Sequence, residues 1–240
     1  MSVQPSEDEP RCVRLASGSF AVADGAWPWA AERADAIAHD WVRRRALAPQ
    51  LFDGTVYLLR EYVIDGAALT GTLFRTDFRT FLYWRDHRAE AKGVCEAFGA
   101  SLIRSAEGHI LLGRQGPGQL NSGRVYPPSG LIDGDDLRGG AIDIDASIAR
   151  ELAEETGLTP GSLERVPGYI AAVSGWQVAV AIGWRSPLAA EALRQRILGF
   201  IETEARPELD DIVIVRQRAS IDARTMPGHA QALLWTLLPT

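Results

Sequence analysis

Residues 150–158 read Arg-Glu-Leu-Ala-Glu-Glu-Thr-Gly-Leu and set Arg150, Glu151, Glu154 and Glu155 within little more than one helical turn. On a helix, positions three and four apart share a face, so these carboxylates project together over an arc of roughly 100°. Ile148, Ala149, Leu152 and Ala153 fall on the other side. Asp145 stands where a cap of the helix N-terminus is expected, and Gly157 where a left-handed residue would end it. Clustered carboxylates suit magnesium, a hard ion that prefers oxygen ligands and is usually held by a few carboxylates together with substrate phosphates. A diphosphate repels nucleophiles by its own charge, and a bound cation neutralises that charge and aligns a water for in-line attack. The competing reading is a plain solvated helix face, which like-charge repulsion of about 0.2–0.5 kcal/mol per pair does not exclude.

The run resembles the second half of the Nudix box, the defining motif of the Nudix hydrolase superfamily: Gly-x5-Glu-x7-Arg-Glu-U-x-Glu-Glu-x-Gly-U, with U aliphatic. Every fixed position of that half is matched, which a solvated face does not require. The resemblance implies that Glu151, Glu154 and Glu155 ligate Mg2+ or Mn2+, and that Arg150 orients a glutamate by a charge-assisted hydrogen bond. Arg150, Glu151 and Glu154 are then the expected catalytic residues. The reaction implied is water plus NDP-X giving NMP and X-phosphate. The first half of the box departs from the pattern, since the expected glutamate and glycine positions hold Ile142 and Asp136.

A better match for the glycine is Gly130, within Pro127-Pro128-Ser129-Gly130-Leu131-Ile132-Asp133. Residues 134–140 then form an insertion in the box loop, and Asp143 is expected to replace the missing glutamate one residue late. By the same resemblance, Gly130 offers its backbone carbonyl to a metal, while Arg114 and Ser129 contact substrate. The group that accepts the water's proton stays open between Glu154, Glu155 and a later loop carrying Glu202, Glu204 and Glu208. The lengthened box loop and the N-terminal hairpin are similar to those of Nudix enzymes acting on UDP-sugars, so a nucleotide sugar is one option for the substrate. A Nudix-like nucleotide sensor without catalysis and an interaction scaffold are the alternative classes.

These side chains need a scaffold, and the pattern predicts an α+β protein: a mixed β-sheet sandwiched between helices (α/β/α), preceded by an α+β extension. Apolar residues recurring at three and four predict an amphipathic helix over 28–45. Residues 55–64 and 67–75 flank Asp65-Gly66 as a hairpin, followed by a helix over 76–88 whose Phe78, Phe81, Tyr83 and Trp84 pack inward. Strands are expected at 99–104, 109–114, 168–173, 177–184 and 211–216, with helices at 187–204 and 228–238. Tyr126, Trp176, His109 and His229 read as structural. The organisation expected is a disordered tail over 1–23, an extension over 24–92 and the Nudix domain over 93–240.

With 240 residues, 46% of them hydrophobic, the chain is long enough for a core plus an extension. The net charge of −6 disfavours binding along a nucleic-acid backbone, which relies on clustered Lys and Arg. Cys12 and Cys95 have no neighbours at metal-ligand spacing and read as reduced thiols. The acidic start does not resemble a secretory signal, and no apolar run approaches the roughly 18 residues of a membrane span. A cytoplasmic protein with a small nucleotide substrate is expected, its oligomeric state open, a homodimer included.

Overall fold

Strand periodicity in the middle of the chain sorts side chains to two faces of one sheet. In β5 (Glu96–Arg104), Ala97 and Ile103 join one apolar cluster, while Phe98, Ala100 and Leu102 join another. Such alternation with both faces apolar requires a cover on each side. The computed structural model, which describes residues 10–239, supplies it. On one face lie α4 (Ile144–Thr156) and α5 (Ala190–Ile201), contributing Ile148, Leu152, Leu193 and Ile197. On the other lies α6 (Gly228–Leu237), contributing Ala232 and Leu233. This is the α/β/α sandwich expected from the sequence.

The central sheet runs β1 (Arg11–Leu15), β12 (Tyr169–Ser174), β13 (Gln177–Arg185), β5, β6 (Ile110–Gln115), β14 (Leu209–Val215). It is mixed: β13 and β5 are parallel, and the other pairs along this path are antiparallel. Short strands β7 (Val125–Tyr126), β8 (Ser129–Leu131) and β11 (Glu164–Arg165) pair with β6, β5 and β13 respectively. β8 therefore brings the box loop against the middle of the sheet, with Gly130 opposite Gly99.

A second sheet runs β3 (Thr55–Asp65), β4 (Ala68–Asp77), β2 (Ser17–Ala23), β10 (Ala141–Ile142), β9 (Leu137–Arg138). Its hairpin turns at Asp65-Gly66 as the sequence predicts. Helices α1 (Pro28–Ala31), α2 (Ala34–Leu47) and α3 (Phe78–His87) accompany it. Phe81 and Trp84 are buried, and Trp27 stacks on Trp29 with ring centroids 4.7 Å apart. The aromatic residues of this region mainly build core.

Two expectations change. Residues 11–23, placed in a disordered tail, form β1 and β2, and Leu15 and Phe20 are buried; residues 1–9 lie outside the described part. Their partners are β12 and β4, remote in sequence, so no local turn signal announces them. Second, the inserted box loop is not a free excursion. Its strands β9 and β10 extend the sheet of the N-terminal extension, and Tyr57 N donates to Ile132 O at 2.9 Å. The extension and the box loop thus share one sheet across the expected boundary at 92/93.

Candidate active site

Helix α4 carries the acidic run. Gly157 ends it at φ 66°, the left-handed conformation that favours glycine, with its N–H on Ala153 O at 2.9 Å. The N-terminal cap is Asp143, whose carboxylate accepts from Ala146 N at 3.0 Å, and not Asp145, which instead accepts from Tyr169 Oη at 2.6 Å. Capping also occupies Asp143 away from the role of the missing glutamate.

The buried carboxylate that meets Arg150 from the box loop is a residue the motif count had set aside. Asp136, only 2% exposed, accepts from Arg150 Nη2 at 3.1 Å, from Ser147 Oγ at 3.0 Å and from Asp133 N at 3.0 Å. Arg150 in turn donates through Nη1 to Glu151 Oε1 at 2.6 Å and to Glu154 Oε2 at 3.2 Å. One guanidinium therefore ties the box loop to two glutamates of the helix. Only the three-dimensional path of the 134–140 segment brings Asp136 there. In the sequence Asp136 stands three residues before the Gly139-Gly140 pair, with no local pattern to mark it.

Glu151 and Glu155 are buried, whereas Glu154 is exposed. Burial pushes the Glu151 carboxyl up to about 7, against the pull of Arg150 and with further push from Glu154 and Glu208. Burial raises Glu155 well above its ordinary value, and the charges of Glu151 and Glu208 add to that. Glu155 Oε1 accepts from Ser129 N at 3.2 Å, but its buried Oε2 has no partner. Next to these groups Gly130 leaves a space: a β-carbon there would sit 2.1 Å from Glu151 Cδ. No side chain can replace this hydrogen without displacing the carboxylate.

The site opens into a cavity of about 660 Å3, walled by Gly130, Arg150, Glu151 and Glu154 and, from the opposite side, by Gln115 and Glu208. Glu208 precedes β14, and burial followed by the charge of Glu154 raises its carboxyl. Glu202 and Glu204, on the same stretch, are not among the cavity walls. Ser129 lines the cavity as expected. Arg114 does not: its guanidinium is held by Asp210 at 2.6 Å and by Asp211 at 3.6 Å. Side chains alternate along β6, so the neighbouring Gln115 takes the cavity-facing position.

Among the described residues, no three His, Cys, Asp or Glu side chains are grouped tightly enough to hold a metal ion as they stand. Arg150 occupies one oxygen of Glu151 and one of Glu154. The donor set nonetheless fits a hard cation. All its donors are oxygens, a buried carboxylate oxygen lacks a partner, and neighbouring carboxylates raise one another, which a divalent charge between them would reverse.

No protein-family description and no curated protein matches the sequence. Solved structures similar to the chain include Nudix proteins. The Nudix hydrolase RenU from M. smegmatis is 15% identical, with a TM-score of 0.40 over 62% of this chain and 88% of its own. The MutT protein from Methanosarcina mazei Go1 is 20% identical, with a TM-score of 0.38 over 59% and 91%. The Nudix domain of Shewanella oneidensis NrtR, complexed with ADP ribose, is 15% identical, with a TM-score of 0.35 over 56% and 81%. No helix among the described residues is long and apolar enough to cross a membrane.

Proposed function

We propose that the chain is a divalent-metal-dependent hydrolase that cleaves a diphosphate linkage in a nucleoside diphosphate derivative, converting NDP-X and water to NMP and X-phosphate. The observation that carries this reading is a pair of buried carboxylates on α4, Glu151 against Gly130 at the wall of the cavity and Glu155 accepting from Ser129 N. Buried carboxylates without compensation are costly, and a site of this composition gains most when a cation enters.

Glu151 and Glu155 would hold the ion, with Glu154 at the exposed edge and the Gly130 backbone beside them. A bound magnesium or manganese ion supplies charge neutralisation on the diphosphate and a more acidic water. Arg150, anchored by Asp136, keeps Glu151 aimed at the cavity. Glu208 faces the same space from another element and is placed to take the proton of the attacking water. The water oxygen then bonds phosphorus, the bridging P–O bond breaks, and the leaving phosphate departs with the electron pair. Arg114 is not assigned to the phosphates, because Asp210 and Asp211 already neutralise it.

The reading is tested by incubating the protein with Mg2+ or Mn2+ and a panel of nucleotide sugars, ADP-ribose, dinucleoside polyphosphates, CoA and nucleoside triphosphates in oxygen-18 water. Metal-dependent turnover is expected, with the label identifying the phosphorus attacked. Loss of at least about 100-fold in kcat is expected for Glu151→Gln. Nucleotide binding without turnover of any substrate would instead indicate a sensing module.

A further inference from the structure

Beyond Asn121, Tyr126 and Gly130 the cavity continues into a recess of about 80 Å3 that no residue of α4 lines. Its polar side chains converge from separate elements: Arg85 on α3, Glu96 at the start of β5, Gln177 at the start of β13 and His229 on α6. The parallel register of β13 on β5 sets Gln177 directly beside Glu96. Glu96 is 8% exposed and His229 4%, so both are held inside the protein rather than solvated at its surface.

The hydrogen bonds give this cluster a polarity. The Gln177 amide presents its nitrogen to Glu96, Nε2 donating to Oε2 at 2.8 Å. The amide oxygen then faces His229 Nδ1 at 3.2 Å, which makes Nδ1 the protonated nitrogen of a neutral ring. His229 Nε2 is left as a buried acceptor with no partner. Burial pushes the ring down to about 4, which keeps it neutral. Burial raises the Glu96 carboxyl above its ordinary value, against the Gln177 hydrogen bond and the charges of Arg85 and Arg88. Phe98 lies edge-on to His229 at 5.0 Å and Tyr126 at 5.9 Å, and Leu120 and Leu131 add apolar surface to the recess.

Two buried acceptors in a recess bordered by the Phe98 and Tyr126 rings call for a planar ligand that brings N–H donors. We infer that the recess takes the amino-bearing edge of a nucleobase, that Glu96 and His229 accept from it, and that Gln177 positions both. The inference rests on the reading of the adjoining cavity as a nucleotide site. It narrows the substrate class to adenine, guanine or cytosine nucleotides and disfavours the uracil nucleotides suggested by the enlarged box loop.

The test is equilibrium binding in EDTA, which does not depend on catalysis. Calorimetry compares AMP with IMP, GMP with IMP and CMP with UMP on the full chain. At least one amino-bearing member is expected to bind about tenfold or more tightly than its partner without that amino group. That ratio is expected to fall toward one in Glu96→Gln, and in His229→Asn should the first variant not fold by thermal denaturation. Equal binding within all three pairs overturns the inference. So does a preference that neither variant moves, or tighter binding of glucose 1-phosphate than of any nucleotide. Amino-selective binding without hydrolysis of the substrate panel would remove the hydrolase reading and leave the recess assignment standing.

Discussion

At the residue scale, Glu151 and Glu155 are carboxylates kept in surroundings that favour the proton. The Glu151 carboxyl ordinarily titrates near 4.5 and is pushed up to about 7 in the folded chain. Between those values the folded state holds a proton that the unfolded chain has released, so this group's contribution to stability declines as pH rises from 4.5 to about 7 and is level above. A cation must displace that proton. Its affinity is therefore expected to fall as pH drops below about 7, by up to about tenfold per pH unit for one proton, as read by calorimetric titration with Mg2+. A pH-independent affinity between 5.5 and 7 would contradict this. Glu155→Gln removes a buried charge with little change of shape. Without metal, its melting temperature is expected to stay level or rise by roughly a few degrees, while kcat falls at least about 100-fold. Gly130→Ala, whose methyl would overlap Glu151, is expected to weaken metal binding at least about tenfold in the same titration.

At the element scale, α4 is oriented by polar contacts at its start and by Arg150 in its middle. Asp143→Ala removes the cap and is expected to cost about 1 kcal/mol in chemical denaturation, whereas Asp145→Ala, at the position that does not cap, should leave the helix start intact. Asp136→Ala breaks a carboxylate cluster with Arg150, Ser147 and the Asp133 backbone. Because Arg150 is 28% exposed, the expected loss is roughly 2–3 kcal/mol, below the range for a fully buried pair. Glu151 should also lose its aim, so activity is expected to drop even at temperatures where the variant is folded.

These elements show which parts of the site were legible in the sequence. Helix α4, its glycine end and the glutamates on one face follow from local periodicity and spacing, as do the hairpin β3–β4 and helices α5 and α6. Asp136 and His229 did not stand out, and Glu208 was not separable from Glu202 and Glu204, because each reaches the cavity through long-range pairing. Asp136 arrives by way of the β9–β10 strands, Glu208 by the register of β14 on β6, and His229 by the packing of α6 on the sheet. Arg114 shows the opposite case. Its strand was located correctly, but its side chain found two aspartates next door.

For the whole molecule, the N-terminal strands connect the extension to the layers of the sandwich. β2 lies between β4 and β10, so the second sheet closes only through residues 17–23. Phe20 is 1% exposed in the main core, and Phe20→Ala is expected to cost about 3–5 kcal/mol in denaturant unfolding. An unchanged midpoint would mean that this segment does not support the fold. The same sheet carries the strands that place Asp136, so loosening it should also reduce metal affinity at temperatures below the melting point.

The account turns on whether the carboxylates of α4 hold a divalent cation. The most direct measurement is a Mn2+ titration followed by electron paramagnetic resonance, on the wild type and on Glu151→Gln and Glu155→Gln. Saturable binding by the wild type, weakened at least about tenfold in both variants while they remain folded, is the expected result. Binding that is absent in the wild type, or equally strong in all three proteins, would contradict it.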